Sequence, residues 1–487
     1  MNVQDRINQL NQFRDQVYAS FNQRSDSLMD LLDALCGNTH ARSVVELSLN
    51  PLFRREYGSL YAAIGALGVT RDEVSASDQP DGSPPQSRFP QTWIQSIAKG
   101  VPSPSHRDYW LFGVDVTPVS RPHAITLKDR ESVYKPTVVA GQKPITLGHN
   151  YSLMAAIPEA EVTGARRWIV PLSVERVTSF ESKVGVGQQQ VERLLNDETV
   201  PWHGQRCVLV VDSDYSHRRF LYPFSTQENR VIVTRSRANR VFYRVPQAST
   251  EKRRGHPRWY GLRFDLKDET TWGDPDEQIR FETTTTKGHL RTVTLTRWHD
   301  LLMKGSRAQP MHAHPFDLVQ VQLTDPTGHR IFKPQWLIVF GHSRRPLDTR
   351  NAYQGYTERF NLEHGIRFTK QNLMMNDLQT PDVTQEEAWV QFSWLAYAQL
   401  WMARLLAQGL PQPWQRFLPD YTQHHCTPAM VQRDFTRIIR QIGTPAAESK
   451  PRGKSPGRTV GTTLPHRPRR PIIKRGRARL KKKKKAA

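Results

Sequence analysis

Two aspartates lie at or near the ends of apolar segments that have the character of buried strands. Asp115 lies within WLFGVDVT at 110–117, and Asp212 ends CVLVVD at 207–212. An unpaired carboxylate is costly to bury, and a metal ion or a basic partner commonly offsets that cost. Aspartate also favours strand ends and turns because it accepts hydrogen bonds from nearby backbone. Each aspartate alone is therefore compatible either with cation chemistry or with a turn.

A third acid belongs to a set of four chemically different side chains at helical spacing. On a helix with about 100° per residue, Tyr356, Arg359, Glu363 and Lys370 fall within an arc of about 60°. An Arg–Glu pair at this spacing is common on solvated helix faces, but it accounts for neither the tyrosine nor the lysine. Gly365 can loosen the helix before the lysine. The spacing predicts one helix face that presents all four groups.

The spacing Tyr-x2-Arg-x3-Glu-x6-Lys resembles the YREK signature of bacterial insertion-sequence DDE transposases, whose catalytic core is RNase H-like. All four residues match, and Asp115 and Asp212 precede them in the family's order. The segment 212–215 is similar to the family's Asp-x-x-Tyr pattern after an apolar strand. That pattern favours Asp212 as the second acid, and Asp214 is the alternative. The resemblance covers roughly residues 105–410.

The resemblance implies a catalytic site of three carboxylates. Asp115, Asp212 and Glu363 would be the catalytic acids and the ligands of two divalent ions, Mg²⁺ or Mn²⁺, with Asp115 bridging them. Hard ions prefer carboxylate oxygens, and two such ions can activate the attacking oxygen and stabilise the leaving one. Water would free a 3′-hydroxyl at the element's end, and that hydroxyl would attack target DNA.

The resemblance also implies DNA-binding residues. Tyr356, Arg359 and Lys370 would contact phosphates near the scissile bond, where arginine can bind two oxygens and lysine acts as a point charge. Trp336 lies where related enzymes carry a tryptophan that stacks on a flipped base. The alternative for Trp336 is an ordinary core residue at the start of a strand.

The elements needed to hold these residues predict an α/β fold. The expected architecture is an RNase H-like catalytic core with a β-rich insertion between the second and third acids, plus helical N-terminal and C-terminal regions. A second N-terminal helix is predicted after Asn50, and Thr384 and Glu387 predict a capping box for a long helix over 386–407. The predicted regions are a helical, possibly end-binding N-terminal region at 1–74, a linker at 75–90, the first part of the core at 91–237, the insertion at 238–345, the second part of the core at 346–443 and a disordered basic tail at 444–487.

Charge and composition favour a nucleic-acid partner. The formal net charge is +23, from 69 basic and 46 acidic residues, and 16 of the basic residues lie in 449–487, which contains no acid. Such an excess points to a polyanion. No apolar stretch reaches the roughly 18 residues of a membrane span, and the N-terminus does not resemble a signal peptide. Three widely spaced cysteines indicate reduced thiols.

Together these observations predict a cut-and-paste DNA transposase. Its partners would be the terminal inverted repeats of a mobile element and target DNA, and a homodimer would bridge two ends in the synaptic complex. The expected location is the bacterial cytoplasm, in association with the nucleoid. The alternatives are an RNase H-like nuclease without strand transfer and a non-catalytic, domesticated DNA-binding protein.

Overall fold

The computed structural model describes residues 2–67, 89–135, 143–159, 168–246, 258–285, 288–409, 426–451, 457, 459–463 and 466–474. These residues form a mixed α/β fold around a mixed central sheet, as the sequence predicted. Residues 75–88 of the predicted linker and the terminal lysines at 481–485 lie outside the described residues, while Phe89 is buried and Pro90 directly precedes helix α4 (Gln91–Ala98). None of the helices in the described ranges is both long and apolar enough to cross a lipid bilayer.

The first half of the sheet carries the segments in which the two aspartates were recognised. Its strands, in spatial order β4-β3-β1-β5-β6, combine antiparallel pairing of β4, β3 and β1 with parallel pairing of β1, β5 and β6. The short strand β2 shares the outer edge of β3 with β4. The bounds are β1 Trp110–Ser120, β2 Glu131–Tyr134, β3 Ile145–Ala156, β4 Val170–Val177, β5 Cys207–Val211 and β6 Arg230–Ser236.

All five residues of β5 are buried because helices cover both faces of the parallel strands. This explains why CVLVV is an unbroken apolar run and not an alternating one. The first five residues of β1 are buried in the same way. Asp212 directly follows β5, whereas Asp115 lies in the middle of β1, just beyond the residues that pair with β5.

The chain between Asp212 and Glu363 continues the same sheet. Strand β12 pairs antiparallel with β6, and β11, β10, β7 and β8 follow in order, with β9 on β10. These strands are β7 Val241–Arg244, β8 Arg263–Asp265, β9 Glu277–Thr284, β10 Leu290–Leu302, β11 Phe316–Thr324 and β12 Gln335–Phe340. Backbone hydrogen bonds therefore couple this strand-rich segment directly to the acid-bearing strands.

The helices of both termini share one hydrophobic core with the sheet. Within it, α1 and α2 pack against the long helix α9, and Arg14 forms a buried ion pair with Asp33 at 2.5 Å. The helices are α1 Val3–Ser20, α2 Ser25–Cys36, α3 Tyr57–Ala66, α4 Gln91–Ala98, α5 Lys183–Leu195, α6 Arg218–Leu221, α7 Thr349–Glu358, α8 Phe360–Asn372, α9 Val383–Gly409 and α10 Pro428–Ile442.

Two predicted helix starts are wrong. The helix expected directly after Asn50 begins at Tyr57, because the Asn50 side chain accepts a hydrogen bond from the Leu52 N–H and holds a turn there. The predicted capping box of α9 does not form. The Thr384 N–H donates to the Asp382 carboxylate at 2.9 Å, and Glu387 instead pairs with buried Arg176.

Part of the basic tail, predicted to be disordered, lies against the sheet. The backbone N–H of Arg470 donates to the Ile125 carbonyl at 2.9 Å, and that of Ile473 donates to the Arg130 carbonyl at 2.8 Å. These bonds hold residues 466–474 beside β2, where Ile473 forms a parallel bridge with Glu131. Backbone hydrogen bonding, which composition does not reveal, orders this piece.

Candidate active site

Asp115 lies in the middle of β1, where its carboxylate is largely removed from water. One oxygen accepts a hydrogen bond from the Val116 N–H at 2.8 Å, and 18% of the side chain is exposed. Burial, together with the nearby Asp212 and Glu363 carboxylates, raises the pKa of Asp115 to about 6 against the opposing effect of Arg359. The three predicted acids therefore share one electrostatic environment.

Asp212 adjoins Asp115 because β1 and β5 are parallel and each acid directly follows the last pair of the β1–β5 ladder, Val114 with Val211. Its side chain accepts a hydrogen bond from the Asp214 N–H at 2.8 Å, and Thr234 donates to its carbonyl at 2.7 Å. Burial raises the pKa of Asp212. Asp214 is exposed and pairs with Arg237 at 2.9 Å, so it belongs to a different contact.

Glu363 reaches the same place because α8 lies unusually close to the sheet. A Cβ at Gly113 of β1 would meet Leu362 of α8 at 2.5 Å, and one at Gly365 would meet Ile169 at 2.5 Å. Both glycines therefore permit a close approach of helix and sheet. Gly365 does not interrupt the helix, which continues to Asn372.

Arg359 lies at the junction between α7 and α8 and contacts an acid of β1 and an acid of α8. Its guanidinium lies 3.3 Å from Asp115 Oδ2 and 3.0 Å from Glu363 Oε1, and 5.7 Å from the centre of the Tyr356 ring. Burial by itself would lower the pKa of Arg359, but Tyr356 and the acids outweigh it and raise the pKa. Tyr356, Arg359 and Glu363 are thus together, as the helical spacing predicted.

Lys370 turns toward β1 and away from solvent. Its ammonium donates a hydrogen bond to the Pro118 carbonyl at 2.6 Å, and burial lowers its pKa to about 8. Glu358, on the other side of the helical path, pairs with Arg107 at 3.2 Å. The structure divides the helix predicted over 356–370 at Arg359, so Tyr356 belongs to α7 and Glu363 and Lys370 belong to α8. The lysine contacts the strand two turns beyond Glu363.

The structure places Trp336 apart from this group. Its side chain is 3% exposed at the start of β12 and packs against the rings of Phe264, Trp272 and Trp298. A flipped base cannot stack on it without displacing these neighbours. The burial agrees with the alternative stated for this tryptophan, a core residue at a strand start.

Three further residues near the acids were assigned no role from the sequence. The Tyr215 side chain is buried beside the acids, and burial together with Asp115 and Asp212 raises its pKa. Lys183, at the start of α5, acts electrostatically on Asp212, and exposed Arg235 on β6 acts on Tyr356. Tyr215 was visible in the Asp-x-x-Tyr pattern, whereas Lys183 and Arg235 are revealed only by the pairing of distant elements.

The donor chemistry of the site suits a hard divalent cation. Asp115, Asp212 and Glu363 offer only carboxylate oxygens, the preferred ligands of Mg²⁺, and their mutual repulsion would be relieved by added positive charge. In the described ranges no three Asp, Glu, His or Cys side chains are already clustered as a metal site. The Arg359 guanidinium supplies the positive charge between Asp115 and Glu363.

Comparison with known protein families assigns the chain to a family of endonucleases. A family model described as DDE superfamily endonuclease matches residues 16–301, more than half of the chain. The matched part includes Asp115, Asp212 and the last five residues of α1, and it ends before Glu363. Comparison with curated proteins gave no significant match.

Proposed function

The chain belongs to the DDE superfamily of endonucleases, and from this premise we propose that it is a transposase of the cut-and-paste type. The family implies DNA as the substrate. The proposed reaction is cleavage at the ends of a mobile element followed by transfer of the freed 3′-hydroxyl into target DNA. The observation that carries the proposal is the Arg359 guanidinium, which contacts Asp115 of β1 and Glu363 of α8, the first and third acids.

Asp115, Asp212 and Glu363 are the proposed catalytic acids and metal ligands. Two Mg²⁺ or Mn²⁺ ions would supply activation of the attacking oxygen and stabilisation of the leaving oxygen. Burial raises the pKa of Asp115 to about 6, so this carboxyl is largely ionised above pH 6 and available to a cation. Asp212 is preferred to Asp214 as the second acid because Asp212 acts electrostatically on Asp115 while Asp214 pairs with Arg237.

Arg359, Tyr356 and Lys370 are the proposed DNA-phosphate contacts. The guanidinium is held between two carboxylates and over the Tyr356 ring, so a phosphate entering the site would meet an oriented donor. Lys370 has a second role as a positioning residue, because its bond to the Pro118 carbonyl ties α8 to β1. Base stacking on Trp336 is not part of the proposal, because its ring is buried against Phe264, Trp272 and Trp298.

The strand order supports an RNase H-like core formed by 91–237 and 346–443. Three antiparallel strands followed by two parallel ones bring β1 and β5 side by side, and α8 packs on β1. Strands β7 to β12 would be the β-rich insertion at 238–345. The homodimeric synaptic complex, the terminal inverted repeats and a nucleoid-associated bacterial location follow from the resemblance and are part of the proposal.

Excision of a marked element bearing the native ends tests the function. We expect Asp115→Ala, Asp212→Ala and Glu363→Ala each to abolish excision in the presence of Mg²⁺, since each removes a proposed ligand. Asp214→Ala is the matched control and should retain most of the activity. Full excision by any of the three variants would remove that residue from the site.

The same assay separates the proposal from its alternative. The matched family is described as an endonuclease, which is also compatible with cleavage that is not followed by strand transfer. A transposase produces insertions flanked by a short target duplication, whereas a nuclease yields only broken ends. A domesticated DNA-binding protein would yield neither product.

A further inference from the structure

A cluster of positively charged side chains begins a few residues beyond Asp212 in the sequence. The cluster surrounds an open groove of about 380 Å³ lined by His217, Arg218, Arg219, Arg240, Val241, Phe242, Met303 and Lys304. We name it the basic groove. Its walls come from α6, from the turn between β6 and β7, and from the chain that follows β10. The core and the strand-rich segment therefore both contribute to it.

We propose that the basic groove binds the phosphate backbone of the DNA duplex that flanks the cleavage position. The proposal rests on the proposed function, because it takes the bound polymer to be the DNA that is cut at the acids. The contacts would be to phosphates and would carry no base sequence.

The cations of the groove are not used in ion pairs within the described residues. Arg218, Arg219 and Lys304 are exposed and Arg240 is half-buried, and none has a carboxylate partner in the parts of the chain that the structure describes. Folded proteins usually disperse or pair such charges, because like charges repel. Their concentration around one cavity indicates a polyanionic occupant.

The charge of the local chain supports the same partner. Residues 216–244 contain seven arginines and a single acid, Glu228. The positive charge of these arginines also affects His217. Burial lowers the pKa of His217, and Arg240 and Arg219 lower it further. The N-terminal region at 1–74, by contrast, has more acids than bases and directs Arg14, Arg54 and Arg55 to internal aspartates.

A line of arginines connects the acids to the groove. Arg235 on β6 acts electrostatically on Tyr356, and Arg237 lies two residues farther along the same exposed side. Arg237 pairs with Asp214, and Arg240 then forms part of the groove wall. A duplex backbone that leaves the site along this line would pass from one arginine to the next.

The floor of the groove is apolar. Phe242 is buried against Phe316, and Met303 and Val241 complete the lining between the cations. An apolar floor between charged walls suits deoxyribose between phosphates better than it suits a small, fully hydrated anion. This composition favours the nucleic-acid backbone over free phosphate.

The salt dependence of DNA binding tests the groove. Binding of a labelled duplex longer than two helical turns would be measured with the full chain carrying Glu363→Gln to prevent cleavage. In that background, Arg218→Ala/Arg219→Ala/Arg240→Ala should reduce the slope of log affinity against log salt by about 2 to 3, because each duplex phosphate contact contributes about 0.9. The single variants Arg218→Gln and Arg219→Gln should each reduce the slope by about 1. These two variants provide the test if the triple variant does not fold.

The matched control removes three exposed cations outside the groove, as Arg280→Ala/Arg330→Ala/Lys333→Ala. We expect the slope of log affinity against log salt for this control to stay close to that of the protein with an unmodified groove. Equal slopes for the groove and control variants would overturn the proposal even if the acids prove catalytic. Groove-dependent binding by a protein that cuts no DNA in Mg²⁺ would retain the groove and reject the proposed function.

Discussion

At the residue scale, the site is defined by an excess of buried negative charge. Asp115 is ionised at neutral pH only at an energetic cost, because burial and two neighbouring acids raise its pKa to about 6 from 3.8. Arg359 offsets part of that cost through its contact with Asp115 at 3.3 Å. A site held in this condition has affinity for added cations, which is the property that metal-dependent DNA cleavage requires.

Asp115→Asn should stabilise the metal-free protein above pH 6. The folded state binds the Asp115 proton more tightly than the unfolded state, so the stability of the wild type rises as pH falls from 6 toward 3.8. The variant lacks this dependence, and we expect its free energy of unfolding to exceed the wild type's by about 3 kcal/mol well above pH 6. The difference should disappear near pH 3.8.

Denaturant unfolding in a metal chelator at both ends of this pH interval measures the effect. Asp274→Asn, an exposed substitution, should change the free energy of unfolding by less than about 0.5 kcal/mol at either pH. If Asp115→Asn is less stable than the wild type above pH 6, the charge of the Asp115 carboxylate is already well stabilised by its neighbours. The argument that the site binds added cations would then no longer hold.

At the element scale, the position of α8 against β1 brings the third acid to the first. The contact depends on Gly113 and Gly365, at which side chains would collide with Leu362 and Ile169. From the sequence alone, Gly365 was a possible weak point of the helix. In the structure Gly365 instead allows α8 to pack closely against Ile169, just before β4. No pattern within α8 could have indicated that Ile169 is the contact.

Gly365→Ala should therefore reduce both stability and DNA cleavage. The new methyl group would lie 2.5 Å and 2.8 Å from two Ile169 carbons, and overpacking of this kind costs about 1–3 kcal/mol. Displacement of α8 would also move Glu363 away from Asp115. Thermal unfolding and the rate of Mg²⁺-dependent cleavage measure the two effects.

Two variants make this prediction specific. Gly65→Ala in α3, where among the described residues no atom outside the helix's own nearby backbone lies within 4 Å of the new Cβ, should be neutral or stabilise the protein by up to about 1 kcal/mol. Adding Ile169→Ala to Gly365→Ala should recover part of the cleavage rate. If Gly365→Ala alone behaves like Gly65→Ala, α8 does not depend on this close approach.

At the scale of the whole molecule, one sheet and one core join regions that the sequence suggested were separate. The two aspartates, their strands and the helix of the third acid were recognisable because apolar runs and helical spacing are local properties. The pairing of β12 with β6 and the packing of α1 and α2 on α9 are not local. Helix α2 itself was missed, although ten of its twelve residues are buried.

Asp33→Ala should destabilise the entire protein. Asp33 of α2 binds Arg14 of α1 at 2.5 Å and Gln399 of α9 at 3.0 Å, all in the interior. Leaving the Arg14 charge buried and unpaired costs about 3–5 kcal/mol. Because the helices share the core of the sheet, unfolding followed by far-ultraviolet circular dichroism and by tryptophan fluorescence should give coincident curves.

The control for this prediction is Asp15→Ala, an exposed position on α1, which should change stability by less than about 0.5 kcal/mol. An early, separate transition confined to the helical signal in Asp33→Ala would instead identify the N-terminal region as an independent module.

The most direct test of the central claim is the rate at which the purified protein cleaves a DNA element end in Mg²⁺ when a single helix acid is neutralised. Glu363→Gln should lower the rate about a thousandfold or more, because it removes a proposed metal ligand without a change in size. Glu358→Gln, which alters the acid paired with Arg107 on the other side of the helical path, should leave the rate within a few-fold of the wild type. A Glu363→Gln protein that cleaves as fast as the wild type would contradict the assignment of Asp115, Asp212 and Glu363 as one catalytic site.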